Sequence, residues 1–322
     1  MIDGHIHYAH SLEPERLKRV IKRHKLDGVG LQCIPNGENE TNEEALEFKE
    51  EAPVPVYVFG GIPRTVYSLD EGEMSKELKK AAEHWMKRGC SGIKMLEGKP
   101  NIRKQYSVPD FDRPVWKAYW GYLEAERIPV YFHVNDPEEF WDRQKISRHA
   151  LESGWLYDDT FVNNEQQYQQ VLNVLREFPN LKVVFPHFFF MSRQLERLAD
   201  ILKQYPDVRV DLAPGIELYY NLSEQREAAR EFFECFQDRI IYGSDIGARE
   251  IVRGKEEPLC MEECDGRTNL IREFLEQEGE YILYPDGFYI QGEPQQMQGL
   301  GLPERILDKI YKRNFLELIG GD

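Results

Sequence analysis

His5 and His7 stand one residue apart in Asp3-Gly4-His5-Ile6-His7, inside a short run with the composition of a β-strand. Side chains two apart on a strand point to the same face, so the two imidazoles together offer two nitrogen ligands. Alone, such a pair is weak evidence, because a single buried histidine is most often a satisfied core residue. Three further residues of ligand type end otherwise apolar runs: His133 in Tyr131-Phe132-His133, His187 in Val184-Phe185-Pro186-His187, and Asp245 in Tyr242-Gly243-Ser244-Asp245. If those runs are strands of one parallel barrel, their ends meet at one mouth and coincidence becomes the weaker explanation. Imidazoles with one carboxylate suit a divalent transition metal; zinc fits first, with manganese and iron also suited.

The elements that must position these residues alternate along the whole chain. Strand-like runs are read at Ile2–His7, Gly28–Ile34, Val54–Gly61, Gly92–Leu96, Pro129–Val134, Lys182–His187, Val208–Leu212 and Ile240–Asp245. Several are nearly continuous hydrophobic stretches, as strands buried on both faces are. Helical periodicity lies between them at Pro14–Lys25, Ser75–Arg88, Arg113–Glu126, Glu165–Phe178, Arg193–Tyr205 and Glu224–Phe236, and again at Pro303–Ile319. An open doubly wound sheet would carry a glycine fingerprint after its first strand, and Gly4-His5-Ile6-His7-Tyr8-Ala9-His10 has none. The expectation is an α/β fold, a (β/α)8 TIM barrel forming one domain over residues 1–322, closed by a C-terminal helix. Long connections at Asn135–Asn164 and Ile246–Gly266 would rise over the catalytic face, and Pro285–Gly301 reads as a further surface loop.

The set His5-x-His7, His133, His187 and Asp245 in Gly243-Ser244-Asp245 resembles the metal-site pattern of the amidohydrolase superfamily. The similarity is closer to its amidohydrolase-related branch, often called amidohydrolase 2, which includes aminocarboxymuconate semialdehyde decarboxylase and lactonases. The ending Leu300 to Phe315 is also similar to that branch's final helix. The resemblance implies a mononuclear site ligated by His5, His7, His133 and Asp245, with His187 beside it as a substrate-polarising or acid/base residue. It implies a metal-dependent hydrolase cleaving a C–O or C–N bond of a small, anionic or cyclic substrate. Asp245 would take the proton from an activated water and His187 would hydrogen-bond the carbonyl oxygen. Non-oxidative decarboxylation of a small carboxylic acid on the same metal site is the alternative, and a non-catalytic ligand-binding barrel is the third reading.

Four residues are expected to meet substrate. Lys94, in Gly92-Ile93-Lys94-Met95-Leu96, is read as a substrate-facing ammonium; a carboxylated lysine bridging two metals and a lysine that merely neutralises buried carboxylates are the other readings. Arg64 follows the third strand and would pair with a substrate carboxylate, or with an ordinary loop acid. His10 lies in the first loop, as a substrate contact or a solvated rim residue. Trp141, with Trp155 and Tyr157, makes the fifth connection unusually aromatic, fitting either a lid over the pocket or an interface with a second subunit. His24, His84 and His149 are read as carrying no chemistry, with His24 and His84 at the surface.

Composition bounds the partners. The 322 residues carry 57 acidic against 41 basic side chains, a formal net charge of −16, which disfavours nucleic acid and anionic membranes. With 41% hydrophobic and 12% aromatic residues the chain fills a large core. The N-terminus lacks the form of a signal peptide and no segment matches a membrane span, so a cytoplasmic protein is expected, with a small-molecule substrate and a homo-oligomer left open. Five cysteines, an odd number spread widely, are read as reduced; Cys260 and Cys264 lack the partner pair of a zinc site.

Overall fold

The computed structural model describes residues 1–8, 14–35, 40–215, 217–247, 260–284 and 293–321. Eight strands pair in parallel in the order of the sequence: β1 (Ile2–His7), β2 (Gly28–Gln32), β3 (Val56–Gly61), β4 (Gly92–Gly98), β5 (Val130–Val134), β6 (Val183–Phe185), β7 (Val208–Asp211) and β8 (Ile240–Ile241). Backbone hydrogen bonds from Gly4 to Tyr242 (3.0 Å), Asp245 to His5 (2.8 Å) and His7 to Ile246 (2.8 Å) join the last strand to the first. The expected (β/α)8 barrel is therefore what the chain forms. Its strands are short runs buried on both faces, covered by helices such as Pro14–Arg23, Glu71–Arg88 and Leu195–Gln204, whose apolar stripes face the sheet. The helix over Glu71–Arg88 shows the local signals: the Asp70 side chain accepts from the amides of Gly72 and Glu73, and Gly89 ends it at φ 100°.

The barrel floor is filled from the far end of the chain. Phe315 and Leu318 pack with Ile2, Phe59, Tyr131, Val184 and Ile241. Gly4 has no side chain because Phe315 takes the space; a Cβ there would lie 2.7 Å from its ring. Ile2 and Gly4 thus face the floor while His5 and His7 face the mouth, a change of phase that coincides with the register shift against β2 between Asp3 and Ile6. A second close approach lies at the end of β4, where a Cβ on Gly98 would stand 2.2 Å from the carbonyl oxygen of His133. Gly98→Ala should push the end of β5 outward, costing about 1–3 kcal/mol. Thermal unfolding and metal content of the variant should fall together.

Several expected boundaries move. β6 stops at Phe185 and β8 at Ile241, so His187 and Asp245 lie beyond their strands on turns. The stretch expected as a loop at Pro285–Gly301 contains a strand, β10 (Gln295–Leu300), paired antiparallel with β9 (Glu278–Leu283) and burying Tyr281, Leu283 and Met297. The closing helix is three consecutive pieces, Glu304–Asp308, a π turn at Lys309–Arg313, and Asn314–Ile319. Helices at Glu40–Glu51, Pro100–Gln105 and Met261–Glu276 were not expected. His24, expected at the surface, is packed, its Nε2 3.4 Å from Asp265, whereas His84 is exposed. The five cysteines are free thiols, with Cys260 exposed and Cys264 buried.

Candidate active site

The two histidines of β1 are held by hydrogen bonds that decide which nitrogen is free. His5 Nδ1 lies 2.6 Å from Asp211 Oδ2 and His7 Nδ1 lies 2.9 Å from the carbonyl oxygen of Gln32. Both partners only accept, so each Nδ1 carries the proton and each Nε2 presents a lone pair. Those two Nε2 atoms are 3.2 Å apart, and Asp245 Oδ1 lies 3.1 Å from the one on His7 and 3.4 Å from the one on His5. Three lone-pair atoms thus converge in a buried place, an arrangement that repels itself unless a cation sits among them. The donor set fits a divalent metal, and buried carboxylate–histidine pairs of the His5–Asp211 kind are what orient metal-bound imidazoles. The nearest positive group is Lys94, whose Nζ is 3.1 Å from His5 Nε2.

Burial is the leading influence on every titratable group here. It lowers the pKa of His5, His7 and His133 and takes His187 down to about 3, so all four imidazoles are neutral at pH 7. Burial also brings the Lys94 ammonium down to about 8, with Asp211 and Asp245 opposing it. Burial works against ionisation of Asp245 as well, yet its surroundings of His7, His187 and His5, which take up a proton more readily beside a carboxylate, hold its carboxyl well below the usual range. Unfolded histidines take up protons near pH 6.5. The folded imidazoles do so only at lower pH, so the stability of the fold declines as pH falls below that value. Metal affinity should decline over the same acidic range, because ligation needs neutral rings. Elemental analysis after dialysis across pH 7 to 4.5 checks this, and occupancy unchanged at pH 4.5 would contradict the assignment.

On the opposite wall, His187 begins a left-handed turn: His187, Phe188, Phe189 and Phe190 have φ of 55°, 56°, 59° and 53°. For residues with a Cβ this costs roughly 1–2 kcal/mol each. The surroundings hold the turn in place. Asp211 Oδ1 accepts from the His187 amide at 2.8 Å, the Tyr168 hydroxyl donates to the carbonyls of Phe189 and Phe190, and Phe188 and Phe189 are wholly buried. The result aims His187 into the mouth with Nδ1 donating to the Ala213 carbonyl (3.1 Å), leaving its Nε2 lone pair free. Phe190 lies nearly parallel to the His187 ring at 5.1 Å and 5.4 Å from that of His133.

His133 stands beside the three-atom group without joining it. Its ring is 5.1 Å from that of His187, and its Nε2 faces the Asn135 carbonyl (2.9 Å) and Asp136 (3.6 Å), which leaves Nδ1 with the lone pair. Asp136 also takes Lys99 Nζ and the Tyr157 hydroxyl at 2.6 Å each. Burial resists its ionisation, but Lys99 and His133 draw its carboxyl down to about 2. Through Tyr157 this ties the wall to a small aromatic core in the fifth connection, where Trp141 packs on Tyr157 at 4.8 Å. Arg64 is half-buried, over the ring of Tyr106 at 4.8 Å and donating to its hydroxyl. His10 lies outside the described residues.

Asp245 itself has φ of 57°, a conformation aspartate tolerates better than most residues. Its second oxygen, Oδ2, lies 3.3 Å from Arg267 Nη1, and Arg267 also donates to Glu263. Arg267, Asp211, Asp136 and Lys99 went unread in the sequence. Asp211 did leave a signal, an acid in the apolar run Val208-Arg209-Val210-Asp211-Leu212; Arg267 left none, being one arginine among many on a helix.

The structure is similar to three solved proteins along nearly its whole length. A 2,6-dihydroxybenzoate decarboxylase from Rhizobium matches with a TM-score of 0.60 at 13% identity, covering 99% of this chain and 97% of that one. A dihydroxybenzoic acid decarboxylase from Polaromonas sp. JS666, with bound manganese and the inhibitor 2-nitroresorcinol, gives 0.57 at 14%, covering 99% and 96%. A 4-oxalomesaconate hydratase from Rhodopseudomonas palustris gives 0.57 at 13%, covering 99% and 95%. Identities this low establish a shared fold. No curated protein matches the sequence significantly. The family described as Amidohydrolase matches residues 69–318, most of the chain and five of its candidate site residues, Lys94, His133, Trp141, His187 and Asp245. The chain, with its eight-stranded barrel and its histidine–aspartate centre, belongs to this amidohydrolase family of enzymes.

Proposed function

We propose that the chain is a metal-dependent hydrolase of a small anionic substrate, holding one divalent ion through His5, His7 and Asp245, with His133 completing the set on ion binding. The observation that carries this reading is the convergence of three lone-pair atoms on a buried point, with tautomers locked by Asp211 and Gln32. When bound, such an ion polarises a substrate oxygen and makes hydroxide available at neutral pH. The chain's own groups around it are bases: Asp245 is held ionised and His187 offers a neutral lone pair, so both can take a proton from water. Asp245 is assigned the first proton transfer and returns the proton to the leaving group. His187, which stands beside the centre and outside the tight ligand group, meets the substrate and shares the proton. Lys94 faces the developing negative charge as an ammonium. The aromatic core around Trp141 and Tyr157 shuts water from the mouth, and Arg64 at its edge holds a substrate carboxylate.

Decarboxylation is the second reading, favoured by the presence of decarboxylases among the similar structures. It needs an acid to protonate carbon, and Lys94, with its pKa at about 8 and its Nζ 3.1 Å from His5 Nε2, carries a proton at pH 7 beside the centre. The test is the protein reconstituted with zinc or manganese and screened against lactones, amides and aromatic carboxylates in ¹⁸O water, with carbon dioxide monitored. Label in the product without carbon dioxide supports hydrolysis. Carbon dioxide without label overturns it in favour of the second reading.

A further inference from the structure

Glu217 has no part in the scheme above, yet it lies at the same mouth. It is on the segment leaving β7, whose Ala213 carbonyl holds His187. The residue is 9% exposed, and neither carboxyl oxygen has a hydrogen-bond partner from any other described residue. Its side chain folds over Gly215, where a Cβ would stand 2.7 Å from Oε2. Burial pushes its pKa up to about 8; its own backbone amide and Arg193 work the other way, while Glu139 and Asp136 across the mouth push with burial. Arg193 is engaged elsewhere, donating to Glu224 at 3.0 Å. Glu139 Oε2 is likewise buried without a partner. Tyr168, which feels the charge of Glu217 and of Glu138, donates to the carbonyl of Phe190 and so links this corner to the flat wall beside His133 and His187.

A buried, unsatisfied carboxyl destabilises a fold, and leucine would fill nearly the same space without that cost. Such a group is retained where a ligand supplies its partner. With its pKa at about 8 the carboxyl keeps its proton at pH 7, so it offers one donor as well as acceptor oxygen, and a small polar substituent such as a hydroxyl answers both. We propose that Glu217 is a substrate-recognition residue, receiving a hydroxyl or amino substituent of a small planar acid whose anionic end lies at the His5–His7–Asp245 centre and whose ring lies on Phe190. This rests on the reading of that centre as one that binds small anions.

The experiment measures binding of benzoate, 3-hydroxybenzoate, 4-hydroxybenzoate and 4-aminobenzoate to the metal-loaded full chain by calorimetry. At least one substituted acid should bind about tenfold or more tightly than benzoate. Glu217→Leu should erase that preference while leaving benzoate within about twofold, and Glu217→Gln, which keeps an acceptor oxygen, should restore part of it for the hydroxyl compounds. Glu217→Leu should melt no lower than the native protein, since a buried unsatisfied carboxyl has been removed. A level series in the native protein, or a preference that survives Glu217→Leu, overturns the proposal. The anion-binding reading is tested separately by stripping the metal, which should weaken benzoate itself. If benzoate is indifferent to metal, that reading falls and the comparison passes to phenol against toluene, where loss of phenol preference in Glu217→Leu sustains the role of Glu217 and its persistence, or its absence in the native protein, ends it.

Discussion

Asp245→Asn should lower turnover by roughly 10² to 10⁴ even when metal is supplied in excess. The carboxylate has two faces in use: Oδ1 meets the Nε2 atoms of His7 and His5, and Oδ2 meets Arg267. An asparagine has one oxygen for these two places. With that oxygen at the centre, its amide hydrogens oppose the Arg267 guanidinium; turned round, they point at the ion. Either way the side chain cannot accept a proton at neutral pH, so the chemical step suffers beyond any loss of affinity. His187→Asn should slow the reaction with occupancy nearly intact, and His5→Ala should lower occupancy and rate together. Steady-state rates paired with elemental analysis separate the three. An Asp245→Asn enzyme that is fully loaded and works at close to the native rate would reduce Asp245 to a structural ligand and leave His187 as the base.

The second large effect is expected from Asp211→Asn, a change of one atom in a residue with no place in the mouth. Asp211 Oδ1 accepts the amides of His187 (2.8 Å) and Ala213 (3.0 Å), while Oδ2 receives the proton of His5 Nδ1. The two amides fix where the single oxygen of asparagine must go. Its NH2 group then faces His5 Nδ1, and the ring has to shift its proton to Nε2, the atom that points at the ion. Metal affinity should fall about 10- to 100-fold, the scale found for losing such a supporting partner. The melting temperature of the metal-free protein should change little, because the His187 turn keeps its hydrogen bonds. Competition against a chelator gives the affinity, and ¹⁵N shifts of His5 report the tautomer directly. Native affinity with an unchanged tautomer would show that Asp211 does not set the proton's place.

The architecture was legible because it rests on the most local signal a sequence carries. Runs such as Gly92-Ile93-Lys94-Met95-Leu96 are buried on both faces and read as strands without help from tertiary context. His5, His7 and Asp245 were legible for a related reason, as polar residues at the ends of apolar runs. What could not be read is whatever depends on long-range support. Four consecutive residues in the left-handed region contradict the preference of phenylalanine, and only Asp211 and Tyr168, neither of them a neighbour in sequence, make that turn tenable. The strand Gln295–Leu300 has few residues favoured in strands and exists because it pairs with Glu278–Leu283. Trp141 and Arg64 were picked out by residue type, and residue type does not say what a side chain packs on, here Tyr157 of the same connection for Trp141 and Tyr106 of the next connection for Arg64.

The floor of the barrel has a consequence for how the protein is made. Ile2 and Gly4 open the chain and find their packing partners in Phe315 and Leu318, which are synthesised after all eight strands. A ribosome that has released every strand has therefore not yet delivered the residues that fill the space beneath them, and β1 must also wait for the segment around Tyr242 to close the ring. Contacts so distant in sequence form slowly, and until they form the edges of β1 and β8 and an apolar hollow face the cell. A nascent chain not yet extended through Leu318 is thus expected to need chaperones, and nonsense mutations before Asn314 should yield aggregates rather than a weakened enzyme.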